Sequence, residues 1–212
     1  MQNNLTDIGK QFIKISIKTE ENMNISELRV AIVEATIQEF NEKGLKFTMD
    51  DIAKRLSMSK KTIYTVFKDK NALANYMIDY IFDHIKESER EVFRDESLST
   101  TQKLKKALLI LPDKYKNINL SYVGGLREKY PKIYSKIADK LEGDWEPTLK
   151  LLEKGMEEGT IRKINPIIFK AMVESTLEHF FSSNILSENK IVYEDALNEV
   201  LDILMSGILV EP

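Results

Sequence analysis

Thr48-Met-Asp-Asp-Ile-Ala-Lys-Arg-Leu-Ser-Met-Ser-Lys-Lys-Thr-Ile-Tyr-Thr-Val-Phe-Lys-Asp-Lys70 reads as two short helices joined by a tight turn. Thr48 is a good N-cap, and Asp51, three residues on, completes a capping-box pattern. Met49, Ile52, Ala53 and Leu56 recur at helical spacing and define an inward face. Ser57-Met58 makes the turn, and Ser59 caps the next helix. That helix commits Ile63, Val66 and Phe67 to the core, leaving Lys60, Lys61, Thr62 and Tyr64 pointing away from it. Residues 54 to 70 carry six cations, Lys54, Arg55, Lys60, Lys61, Lys68 and Lys70, against Asp69 alone, an excess of five positive charges. The whole chain is at −3, so the remainder is at −8. A basic patch on an acidic body is the electrostatic footprint of a protein that holds nucleic acid at one end.

The flanking sequence extends the helical pattern in both directions. A preceding helix is expected from about Ser26 to Lys43, with Leu28, Ile32, Val33, Ala35 and Phe40 inward and Gly44 as a left-handed C-cap. Asp69 caps a long helix that reaches about Phe93 on the stripe Leu73, Tyr76, Met77, Tyr80, Ile81, His84 and Ile85. At 1.5 Å per residue such a helix exceeds about 30 Å and can link a small head to a separate body. Further helices are expected over 100–117, with Pro112 kinking or ending the first, and over 131–158, with Trp145 and Pro147 inside. Gly159 ends the latter. Asn165-Pro166 opens a helix to about Asn184, and the last helix spans about Tyr193 to Ile208.

The fold class is therefore all-α: an N-terminal three-helix helix-turn-helix domain plus a C-terminal helical domain. The segments are a polar arm over 1–24, the head over 25–70 and the body over 71–212. With 42% hydrophobic residues a real core forms, and 8 glycines and 5 prolines are too few for a turn-rich β design. The absence of cysteine excludes disulfides and thiolate metal sites. With only two histidines, far apart, no metal and no cofactor is expected. No apolar run approaches the roughly 20 residues of a bilayer span, and the expected location is the cytoplasm. Carboxylates are scattered along helix faces, and no serine, lysine or histidine stands in a nucleophile setting, so no catalysis is expected.

The second helix of the pair has what a major-groove reader needs. Ser59 and Thr62 are short donors, Lys60 and Lys61 reach phosphate or guanine, and Tyr64 supplies a phenol. Thr48 can place its hydroxyl on the backbone. Lys70 opposes the dipole of its own helix, a mild fault that a phosphate contact would relieve. The DNA-contacting set is then Thr48, Ser59, Lys60, Lys61, Thr62, Tyr64 and Lys70. Two other readings stand beside this one: a helical module whose lysines meet an acidic protein, and a DNA-binding protein without a small-molecule effector.

Residues 26–70 resemble the DNA-binding domain of the TetR/AcrR family of bacterial transcriptional regulators. The matching positions are Ile32, Ala35, Phe40, Gly44, Thr48, Asp51-Ile52-Ala53, Ser59-Lys60, Thr62-Ile63-Tyr64, Phe67, Lys70 and Leu73. Ser57 and Met58 depart from the glycine or alanine and valine common there, and Lys61 and Thr65-Val66 alter the readout face. The resemblance carries no operator sequence for that reason. It does imply a homodimeric repressor on a palindromic operator, joined through its last two helices and released by a small-molecule inducer. The helix after Pro166 is apolar on more than one face, which also calls for a partner. Within the body, Met77, Tyr80, His84, Tyr115, Trp145, Met172, Phe180 and Phe181 are the expected ligand-lining residues. His84, on the apolar stripe, reads more readily as a core histidine than as a ligand contact.

Overall fold

The computed structural model describes residues 23–115, 118 and 121–210. Among these, every regular element is helical. The arm over 1–24, with its lysines, lies outside the described residues except for Met23 and Asn24.

The chain divides into two compact units, one ending at Met77 and one beginning at Ile78. The first is built on α1 (Ile25–Lys43), α2 (Met49–Arg55) and α3 (Lys60–Val66), followed by α4 (Lys70–Arg94), whose opening turns belong to this unit. Leu73, Ala74 and Met77 are buried there, which carries the head seven residues beyond the expected limit at 70. The capping expectations are met at atomic level. Asn24 and Glu27 form a reciprocal capping box on α1, Thr48 and Asp51 form one on α2, and Ser59 Oγ accepts from the Thr62 amide on α3. Asp69 Oδ1 accepts from the Ala72 amide at 2.7 Å. Gly44 takes φ 57° and ψ −149°, outside the left-handed helical well and in a region essentially reserved for glycine. The core joins Ile32, Val33, Phe47, Ile52 and Ile63, all fully buried. Arg29 lies over the rings of Phe67 and Tyr76 at 5.6 and 5.2 Å, tying α1 to the end of α3 and the start of α4.

The second unit continues with α5 (Thr100–Leu108), α6 (Ser121–Gly124), α7 (Leu126–Lys129), α8 (Pro131–Glu142), α9 (Glu146–Glu157), α10 (Pro166–Ser182), α11 (Ile185–Glu188) and α12 (Tyr193–Ile208). Three expectations are corrected. The helix over 100–117 stops at Leu108, because Pro112 cannot continue it, and a 3-10 turn over Asp113–Tyr115 follows. The single helix over 131–158 is two helices: Gly143 ends α8 in extended conformation, Asp144 takes φ 55°, and Pro147 sits in the first turn of α9. The helix over 166–184 ends at Ser182, with the short α11 beyond it. The last helix keeps its expected bounds.

The body core unites Leu104, Leu152, Ile161, Phe169, Val173, Leu197, Leu201 and Met205 from α5, α9, α10, α12 and the α9–α10 connection. Residues 160–162 and 208–210 run antiparallel, with Arg162 N donating to Ile208 O at 2.9 Å and Val210 N to Thr160 O at 3.1 Å. Gly155 permits this closure. A Cβ there would stand 2.5 Å from Ile161 Cδ1 and 2.8 Å from Cγ1. Gly155→Ala is expected to cost the body about 1 kcal/mol net, because overpacking outweighs the gain in helix propensity. Urea unfolding followed by Trp145 fluorescence measures it. In an Ile161→Val background, which removes the nearest atom, the cost shrinks.

Candidate nucleic-acid interface and body cavity

The outward face of α3 is set by how its inward face packs. Ile63 is fully buried and Phe67 nearly so, and the 3.6-residue period then turns Lys60, Lys61, Tyr64 and Thr65 outward. Tyr64 is 46% exposed although aromatic. Ser59 Oγ and Thr62 Oγ1 are hydrogen-bonded at 2.8 Å, and Thr65 Oγ1 donates to Thr62 O at 2.7 Å. The turn before α3 places Ser57 at φ 53°, a left-handed residue that favours glycine, at the position where the sequence departs from glycine.

The six cations counted over 54–70 divide into two groups. Arg55 is spent inside the head: its Nε donates to Glu39 at 2.6 Å, and its guanidinium also bonds Glu42 and Gln38. Lys54 pairs with Asp50 one turn back, at 2.9 Å. Lys70 Nζ donates to the carbonyl of Leu45 and stands 4.7 Å from the centre of the Phe47 ring. Burial pushes its ammonium below the usual lysine value. The Leu45 carbonyl, rather than a phosphate, therefore answers the electrostatic fault at the start of α4. Lys60, Lys61 and Lys68 are exposed, with no ion-pair partner among the described residues. Thr48 is exposed too, but its hydroxyl already donates to Asp51 Oδ2 at 2.8 Å. The outward face thus presents Ser59, Lys60, Lys61 and Tyr64, with Thr62 half-buried among them and Thr65 and Lys68 added by the structure. Lys68 was visible in the sequence as part of the charge run.

Glu39 anchors the head beneath this face. Its burial alone would raise the carboxyl, but hydrogen bonds from Lys43 and Arg55 outweigh it and hold the group below its ordinary value. Asp51, bonded by Lys43 and by Thr48, is held well below the carboxylate range. Glu39→Gln is expected to cost the head about 2 kcal/mol, since it removes the buried negative charge that faces both Arg55 and Lys43. Because the folded value is depressed, this stabilisation is complete above the unfolded value of 4.5 and is lost as pH falls through the folded one. Protection factors of the α1–α3 amides, corrected for the intrinsic pH dependence of exchange, should fall on acidification in the wild-type chain. The variant should exchange faster at pH 7 and show a flatter acid limb.

The body contains a cavity of about 190 Å³. Ile81, Phe82 and Ile85 of α4, Leu108 of α5, Trp145 and Val173 supply apolar wall. Of the eight expected ligand residues, the cavity gathers Tyr115, Trp145 and Phe181. His84 stands behind the wall: its Nδ1 lies 3.0 Å from the Tyr115 hydroxyl and 2.7 Å from the Tyr80 carbonyl, and the Tyr80 ring packs edge-on against it. Met77 is buried in the head core. Met172 is half exposed on the outside of α10, and Phe180 packs on the edge of Tyr193 at 6.2 Å. Sequence reasoning missed Thr148 and Tyr193, a hydroxyl pair of the lining, and the pair Lys86–Glu89 at 2.8 Å. A second cavity of about 240 Å³ shares the Leu141 and Phe181 wall and is edged by Glu142, Glu174 and Glu178. Among the described residues, no group of three or more His, Asp or Glu is placed to hold a metal ion, and no helix is long and apolar enough to cross a membrane.

Residues 32–77 match the family described as bacterial regulatory proteins, tetR family. The chain is 25% identical over 177 residues to an uncharacterized HTH-type transcriptional regulator of Bacillus subtilis, YvaF, covering 84% of this chain and 93% of that one. Among solved structures it is similar to the regulator FadR of Bacillus subtilis in complex with stearoyl-CoA, with TM-score 0.62 and 20% identity, over 84% of this chain and 98% of that chain. It is also similar to a TetR-family regulator from Cytophaga hutchinsonii, with TM-score 0.67 and 20% identity, over 90% of this chain and all of that one.

Proposed function

The chain belongs to the TetR family of transcriptional regulators, and we propose that it is a cytoplasmic homodimeric repressor that leaves its operator when a small molecule enters the body cavity. The observation that carries this reading is the outward face of α3. It joins Lys60 and Lys61, which have no ion-pair partner among the described residues, the hydroxyl side chains Ser59, Thr62 and Thr65 spread over nearly two turns, and a half-exposed tyrosine, on a helix held by buried Ile63 and Phe67, with Lys68 just beyond its end. Lysines and hydroxyls hold phosphates, and a helix so furnished fits the major groove. A lysine cluster meant for an acidic protein would not need Tyr64 and the hydroxyl trio beside it.

The dimer reading rests on apolar side chains left open on the last two long helices. Ile167, Ile168 and Met172 of α10 are 60, 59 and 50% exposed, and Ile203 of α12 is 66% exposed. Pairing these helices with their symmetry mates would bury them in a four-helix arrangement. The ligand reading rests on the cavity and on α4. This helix sends Leu73 and Met77 into the head core and Ile81, Phe82 and Ile85 into the cavity wall. A ligand acts only through different affinities for two arrangements of the heads, and a shared helix is a means of coupling the two events. The relative bound to stearoyl-CoA supports a body that takes up small molecules.

Selection of double-stranded DNA from a random pool by the full chain tests the reading. Enrichment of a palindrome with half-site centres about 34–36 Å apart, or a multiple of that, is expected. Failure to enrich any sequence would reject it.

A further inference from the structure

Two hydroxyls in the cavity lining lack partners. Among the four buried polar residues of the described chain, Thr36 donates to Ile32 O, Thr100 to Glu158, and Glu39 is held by Lys43 and Arg55. Thr148, only 8% exposed, has no hydrogen-bond partner among the described residues, yet it lines the cavity. Tyr193 lines it too, its ring stacked on Phe181 at 5.5 Å, and its hydroxyl likewise has no partner among the described residues. Neither oxygen is among the fully buried side-chain atoms left without a partner, so neither is sealed in protein. Burial pushes the Tyr193 phenol well above its usual value, so it stays a neutral donor at any physiological pH. Each therefore keeps hydrogen-bonding capacity that no described residue uses and that a molecule in the cavity can meet.

Of the charged lining residues, Lys86 pairs with Glu89 at 2.8 Å, Lys140 shares Asp79 with Lys136, and Asp144 is exposed to solvent. The rest of the lining is mostly apolar, and a charge carried into it would be desolvated. The size is also restrictive. A cavity of about 150 Å³ holds benzene, so 190 Å³ accepts a body of roughly six to ten carbons.

We infer that the cavity binds a small uncharged molecule with an apolar body and one oxygen function, which is hydrogen-bonded by Thr148 and Tyr193. This rests on the reading of the cavity as the ligand site. Trp145 is the single tryptophan of the chain and lies in the cavity wall, so its emission reports occupancy directly. The probes are octan-1-ol, octanoate, octylammonium and cyclooctane, titrated into the full-length protein. Octan-1-ol is expected to bind at least tenfold more tightly than either ion. Thr148→Val and Tyr193→Phe should each weaken the alcohol about three- to tenfold and leave cyclooctane unchanged, whereas Thr148→Ser should retain the preference. Equal or tighter binding of either ion, or an alcohol-to-hydrocarbon ratio unmoved in both variants, overturns the inference. Silence of Trp145 toward all four probes overturns it together with the cavity as a ligand site. DNA affinity measured in parallel separates the remaining case: selective alcohol binding that leaves DNA affinity unchanged upholds the inference and rejects the inducer role.

Discussion

Lys60→Ala with Lys61→Ala is expected to weaken operator binding at least a hundredfold near 0.1 M salt. It should also lower the slope of log affinity against log salt by about 3.6, because a dimer loses four cations and each contributes about 0.9. These two lysines, with Lys68, are the cations of the 54–70 run that carry no ion pair among the described residues. Lys54→Ala provides the contrast. Its charge is already matched by Asp50 on the same helix, so its removal should change the slope by much less than 0.9 per copy. Arg55→Ala should behave as a stability variant, losing folded head rather than phosphate contacts, since its guanidinium faces Glu39 and Glu42. Fluorescence anisotropy over a salt series, with melting temperatures for each variant, separates the two kinds of loss.

Met172→Asp with Ile203→Asp is expected to convert the protein to a monomer and to reduce operator affinity by a hundredfold or more. Both residues are at least half exposed in the single chain, so acidic substitution costs the folded monomer little. In a dimer the same positions become buried, and four carboxylates would be desolvated without partners. A monomeric head still reaches one half-site, but the second contact is no longer delivered at high effective concentration, a gain of about 10² to 10⁴ in a linked pair. Analytical ultracentrifugation and anisotropy on the full palindrome measure the two consequences. A variant that stays dimeric would place the interface elsewhere.

Local chemistry was the legible part of the fold. N-caps and capping boxes act over three residues, so Thr48 with Asp51, Ser59, Asp69 and Asn165-Pro166 announce helix starts without knowledge of the tertiary structure. The break between α8 and α9 was hidden because the apolar period runs on through Trp145, while the left-handed turn at Asp144 has no strong residue signature. Charge was legible as a sum but not in its distribution. Arg55 is neutralised from α1, by Glu39 and Glu42, and Lys70 finds Leu45 twenty-five residues upstream. Such pairings arise only when the elements of the head pack together.

The cavity was the least legible feature. Of the residues that side-chain type suggested, Tyr115, Trp145 and Phe181 line the cavity, whereas Met77 serves the head core and Met172 faces outward. Aliphatic walls such as Ile81 and Ile85 look identical in sequence to ordinary core. Thr148 shows its character only through what it lacks, a partner, and no sequence pattern records that.

The most direct test is anisotropy of the wild-type chain and of Tyr64→Ala on the selected palindrome, at two salt concentrations. Two wild-type protomers per site, binding that falls steeply with salt, and loss of specific binding in a normally folded Tyr64→Ala are the results expected if α3 reads DNA. Equal binding by the variant, or wild-type affinity no greater for the palindrome than for unrelated DNA, would contradict it.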